Sequence, residues 1–192
     1  MLGRWAIFGL LLIAAAVSPA QARTIHIVAF GNSATSGWLV APEEAYPAQL
    51  QKLLRKKGYD VTVANEGVPG DTTASALRRL DAAIGPDTDI VLVELGTNDV
   101  RVHVPPREMR VNLNAIIATL RNRHIFVLVI GLGGLDLAAI AKANGVAYVQ
   151  WKLPPGKFRA RDKAHFNAAG YALLIERSLP QIEFLIKRAA GT

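Results

Sequence analysis

The sequence predicts one α/β domain: a three-layer, flavodoxin-like fold with a five-stranded parallel sheet in the order 2-1-3-4-5 and helices on both faces. Three observations predict it. Five short runs rich in valine and isoleucine recur along the chain, amphipathic stretches separate them, and polar clusters fall at the carboxyl ends of the runs. Strands alternating with helices give a parallel sheet whose faces the helices cover. Continuous apolar runs of this length fit strands buried on both faces.

The strands are expected at residues 25–30, 61–64, 90–95, 125–130 and 146–150. In "EEAYPAQLQKLLRKKG", Tyr46, Leu50, Leu53 and Leu54 fall at helical spacing and Gly58 supplies the stop. In "PPREMRVNLNAIIATLRNR" the helical stripe is Met109, Leu113, Ile116, Ile117 and Leu120. "LDLAAIAKANG" predicts a short helix, and a longer one is expected from about residue 167 to 190, bent at Pro180. No repeat, low-complexity tract or second domain is visible. In such sheets ligands bind beyond the carboxyl ends of the strands, near the topological switch point. Three polar clusters fall there: Gly31-Asn32-Ser33, residues 67–73, and residues 96–99.

The first 22 residues are set apart from the fold. "MLGRWAIFGLLLIAAAVSPAQA" has one basic residue, Arg4, an apolar run from Trp5 to Val17, and Ala20-Gln21-Ala22 as a small-x-small cleavage signature. The run is too short to span a bilayer, which needs about 20 residues. A signal peptide over residues 1–22 and a domain over 23–192 are therefore expected, and the mature protein reads as periplasmic or secreted. Such a domain is long enough to bury roughly 68–70% of its unfolded surface. It has no cysteine. That excludes disulfides, thiol catalysis, a cysteine zinc site and a lipoprotein anchor. Without Arg4 the net charge falls from +7 to +6. The basic residues sit in scattered patches, "RKKG", "RNRH" and "KFRARDK", with no aromatic interleaving. This argues against nucleic acid and fits at most a weak attraction to an anionic envelope surface. Oligomeric state is not legible.

Cofactor readings fail next. Gly31 and Gly37 are one residue too far apart for a P-loop, and no lysine follows. "GLGGLD" carries Asp136 where a dinucleotide fingerprint needs its third glycine. The G-x-S-x-G elbow is broken at Thr35. His26, His103, His124 and His165 make no i, i+4 pair, so no metal is expected. What remains fits acyl transfer, which needs a nucleophile, an oriented base and donors for a developing oxyanion. An isolated G-N-S is ordinary turn chemistry, and a lone Asp162-x-x-His165 reads equally as a helix cap beside a packed histidine. Their joint occurrence with Asn98 at the polar ends of one sheet is what separates this chain from the bland case.

Four blocks resemble the SGNH (GDSL-type) hydrolases, in particular the small bacterial arylesterase, thioesterase and lysophospholipase branch. They are "FGNSATSGW" with Gly31, Ser33 and Gly37; "ANEGVPGDTT" with Gly70; "VLVELGTND" with Asn98; and "DKAHFNAAGY" with Asp162, His165, Asn167, Gly170 and Tyr171. The resemblance implies Ser33 as nucleophile, His165 as base, Asp162 as its orienter, and an oxyanion hole of the Ser33 and Gly70 N–H groups with the Asn98 amide. It implies a small acyl ester as substrate and no metal or cofactor. Two departures stand out: the family's usual G-D-S-L reads Gly31-Asn32-Ser33-Ala34, and the proline usual after the histidine is Phe166. The same residues would serve an envelope carbohydrate O-deacetylase, and Asn32 alone would favour an inactive acyl-glycan-binding module.

Overall fold

The computed structural model describes residues 23–153 and 155–191. The expected signal peptide lies outside the described residues. Strands β1 (Ile25–Gly31), β2 (Val61–Gly67), β3 (Ile90–Glu94), β4 (Phe126–Leu132) and β5 (Ala147–Trp151) form one sheet. All pairings are parallel and the order is β2-β1-β3-β4-β5, as the alternation of elements predicts. The switch point lies between β1 and β3. There the register sets Gly31 opposite both Gly67 of β2 and Glu94 of β3, so three chain segments end at one level.

The helices are α1 (Ser33–Ser36), α2 (Tyr46–Lys56), α3 (Thr73–Ala83), α4 (Thr97–Arg101), α5 (Pro106–Asn122), α6 (Ala138–Ala143) and α7 (Ala168–Ala190). One face of the sheet is covered by α2 and α7, through Tyr46, Leu50, Leu54, Tyr171, Leu174 and Ile182. The other packs against α3 and α5, through Ala76, Leu80, Leu113, Ile116 and Ile117. Each helix buries the stripe its spacing marks out, and apolar area removed from water holds the layers together.

The structure departs from the sequence expectations in two places. Burial on both faces holds for β1, β3 and β4 but not for the two edge strands: Ala64 and Asn65 of β2 are exposed, and Ala147, Tyr148 and Gln150 of β5 are only partly buried. Helix α3 follows the second polar cluster, yet its apolar stripe is thin. Its start is fixed by a capping box, in which Ser75 N–H donates to Thr72 Oγ1 at 3.3 Å and Thr72 N–H to Ser75 Oγ at 2.9 Å. Helix α7 runs through Pro180 over the span the sequence predicts. A proline there removes one i→i−4 bond, which burial of Ile175, Ser178 and Ile182 around it offsets.

Candidate active site

Ser33 sits where β1 hands over to α1. Asn32 is the N-cap: its Oδ1 accepts the Ala34 N–H at 2.9 Å. Gly37 closes the single turn in the left-handed conformation. Ser33 is therefore the first residue of a capped helix on a buried strand, and its N–H, like those of any first turn, has no intrahelical acceptor.

Residues 157–167 bring the partners from the other end of the chain. A bridge between Arg159 and Phe166 ties this loop together, with Ala160 N–H donating to His165 O at 2.9 Å. Within it, Asp162 Oδ1 accepts the N–H groups of Ala164 and His165, each at 3.0 Å, and Oδ2 lies 2.6 Å from His165 Nδ1. The His165 N–H and then its ring hold the Asp162 carboxyl down to about 2. The other ring nitrogen, Nε2, is 2.9 Å from Ser33 Oγ. An Nδ1–H facing the carboxylate leaves Nε2 free to accept the serine hydroxyl proton.

Two further polar groups line the same cleft, Gly70 from the β2–α3 turn and Asn98 from α4. Gly96 caps α4 at φ +102°, a backbone that favours glycine, and a Cβ there would come within 2.8 Å of Leu135. Asn98 is buried and held at both ends of its amide. Its Nδ2 donates to Asp71 O at 2.9 Å, and its Oδ1 accepts from Arg101 Nε at 3.2 Å. One Nδ2 proton remains for the cleft. All five residues singled out from the sequence thus line or flank one opening at the switch point: Ser33, Gly70, Asn98 and His165 line it, with Asp162 behind His165.

The GDSL-like lipase/acylhydrolase family model matches residues 29–173, which include all five. The chain belongs to that family. It is 34% identical over 107 residues to an arylesterase of Vibrio mimicus, a match covering 55% of this chain and 54% of that protein. The chain therefore spans about half the length of that relative. It is 32% identical over 151 residues to esterase TesA of Pseudomonas aeruginosa, covering 75% of this chain and 74% of TesA. The fold is similar to the crystal structure of AlinE4, an SGNH-hydrolase family esterase, with a TM-score of 0.67, 27% identity, and coverage of 84% of this chain and 96% of that one.

The GDSL-like cleft has a volume of about 870 Å³ and is mostly apolar, walled by Trp38, Pro69, Val100, Leu132, Leu135 and Leu153. Trp38, Val100 and Leu153 stay about half exposed at the rim. Among the described residues no cluster of three metal-ligating side chains occurs, and no helix is long and apolar enough to cross a membrane.

Sequence reading missed the polar layer beneath the serine. Asn32 Nδ2 donates to Thr97 Oγ1 at 3.0 Å and to Glu94 Oε1 at 3.2 Å. Thr35 Oγ1 reaches Glu94 Oε2 at 3.3 Å. Burial pushes the Glu94 carboxyl up to about 8, against the pull of its bonds from Asn32 and Thr35. The available signal was a glutamate closing an otherwise apolar run, "IVLVE". Arg79 was missed as well. It donates to Asp71 Oδ2 at 2.7 Å and to the carbonyls of Gly31 and Glu66, lashing the ends of β1 and β2 to α3.

Proposed function

We propose that this chain is an exported serine esterase that hydrolyses small carboxylic esters or thioesters. The observation that carries the reading is the continuous hydrogen-bonded series from Ser33 Oγ through His165 to Asp162 at the mouth of an apolar cleft. Ser33 Oγ attacks the acyl carbonyl while His165 Nε2 takes its proton, and Asp162 stabilises the imidazolium that forms. The Ser33 and Gly70 N–H groups and the Asn98 amide take up the charge on the carbonyl oxygen. His165 then returns the proton to the departing alcohol or thiol. Water, deprotonated by the same imidazole, releases the acid and restores Ser33. No metal or cofactor has a step in this scheme.

The apolar walls suit the acyl group or an aryl leaving group, which gain from leaving water. Export follows from the segment 1–22 read as a signal peptide. A binding module without activity is disfavoured, because the Asn32 amide is spent on Ala34, Thr97 and Glu94 and leaves the serine hydroxyl to His165.

A fluorophosphonate probe tests the reading, since it labels only an activated serine. Stoichiometric labelling that disappears in Ser33→Ala, together with hydrolysis of a short-chain aryl ester, is the expected result. An unlabelled wild type, or a Ser33→Ala protein with undiminished turnover, would reject it.

A further inference from the structure

Directly behind the serine turn lies an acid with no cation to answer it. Glu94 ends β3 beside Gly31 and is fully buried. Its two oxygens are bound by residues on either side of Ser33: Asn32, which caps α1, and Thr35, which follows two positions later. Among the described residues none of the salt bridges reaches Glu94. The titratable groups within its electrostatic reach are the phenols of Tyr46 on α2 and Tyr171 on α7, whose own pKa values burial raises. Neither supplies a positive charge.

We propose that Glu94 is a positioning residue: its carboxyl ties Asn32 and Thr35 to the end of β3 and so fixes the turn that presents Ser33. The proposal rests on the esterase reading and deepens it. Glu94 does this work as a neutral acid, because an unpaired carboxylate in this position has lost its water and gained no cation. As an acid, Oε1 accepts the Asn32 amide, while the protonated oxygen and the Thr35 hydroxyl bond to each other. Asn32 belongs to the same device. It both donates to Glu94 and accepts the Ala34 N–H, whereas an aspartate at 32 could meet Glu94 only through a shared proton.

Glutamine has the shape and hydrogen-bonding pattern of the neutral acid but cannot ionise, and leucine keeps only the volume. The test therefore compares wild type, Glu94→Gln, Glu94→Leu and Asn32→Asp in kcat and KM on a short-chain aryl ester from pH 6 to 10. Glu94→Gln is expected to stay within about threefold of wild-type kcat at pH 7, and Glu94→Leu to lose about 10- to 100-fold with little change in KM, as misplaced reacting groups do. Wild-type kcat is expected to fall as Glu94 ionises near its raised value of about 8. Glu94→Gln lacks that fall, and Asn32→Asp, whose new charge holds the shared proton more tightly, shifts it to higher pH.

A melting series separates this inference from the esterase reading. The folded pKa of Glu94 is raised, so its contribution to stability is full below the ordinary carboxylate range and declines as pH rises towards about 8. Wild-type Tm should therefore decline relative to Glu94→Gln between pH 5 and 8, whether or not the ester is hydrolysed. Parallel Tm curves for the two proteins would overturn the proposal, as would a Glu94→Leu enzyme with wild-type kcat. A wild type without hydrolysis but with the expected Tm divergence would overturn only the esterase reading.

Discussion

Asn98 illustrates how much of a site depends on which way one amide faces. Its two ends are chemically opposite, and only the NH₂ end can stabilise an oxyanion. The Asp71 carbonyl takes one Nδ2 proton and Arg101 Nε donates to Oδ1, so the flipped orientation would lose both bonds. Asn98→Ala should lower kcat by about 10²–10³ with little change in KM. Arg101→Ala should cost about three- to tenfold in kcat. If Arg101 acts through Asn98, it should cost nothing further in the Asn98→Ala background, a non-additivity that steady-state kinetics of the double mutant would measure. A KM effect that persists in that background would make Arg101 a substrate contact instead. Asp162 is tested by pH. Its carboxyl is held at about 2, below the ordinary 3.8, so it contributes stability above the ordinary value and loses it as pH falls towards 2. The Tm gap between wild type and Asp162→Asn should be constant from pH 7 to 5 and close between about pH 4 and 2. At neutral pH the same variant should lose about 10⁴ in kcat, because it no longer fixes the imidazole tautomer.

At the scale of elements, the site is an alliance of strand ends with a loop that must be held from below. That support comes from the first turn of α7. Asn167 caps the helix by accepting the Gly170 N–H at 2.9 Å, while its Nδ2 donates to the carbonyls of Lys157 and Arg159. Phe166 is buried against Tyr171, with ring centroids 5.4 Å apart. It anchors the loop by packing, at the position where the resemblance led one to expect proline. Gly170 lets the helix and loop touch: a Cβ there would lie 2.2 Å from the Phe158 carbonyl oxygen. A backbone atom cannot swing aside as a side-chain tip can. Gly170→Ala should therefore destabilise, because overpacking costs about 1–3 kcal/mol and the better helix propensity of alanine returns at most about 1 kcal/mol. A lowered Tm together with reduced kcat is expected, since moving the loop also moves His165. An unchanged or raised Tm would show that the loop gives way freely.

The whole molecule holds its two halves of chemistry together by topology. Ser33 and His165 are 132 positions apart and meet because α7 packs back over β1, β3 and β4 beside α2. Arg23, at the start of the described chain, pairs both its terminal nitrogens with Asp89 at 2.7 and 2.8 Å. Such an exposed pair is worth about 0–1 kcal/mol, too little to decide stability. Expression of residues 1–192 in a bacterial host is expected to yield an exported protein beginning at Arg23, and an intact mass shows this directly. A purified protein retaining residues 1–22 would refute the reading of that segment as a signal peptide.

The layer architecture was legible from local signals: β-branched runs, helical spacing, and polar residues placed just after strands. The strand order came from the flavodoxin-like pattern that this alternation fits, and the residues that meet at the cleft came from the four-block resemblance. Ser33, Asn98, Asp162 and His165 were legible because each lies in a short block whose neighbours carry its geometry. The edge exposure of β2 was not legible, since burial depends on what packs alongside a strand and not on the strand's own residues. Nor was the role of Glu94 or of Arg101. Glu94 ends an apolar run and draws its meaning from Asn32 and Thr35, which are some sixty positions away in the chain. Asn32 shows the division within one residue. Sequence marks it as a departure from an aspartate, while the packed fold turns its amide away from the nucleophile and towards a buried acid, to which it donates a hydrogen bond that a carboxylate could not.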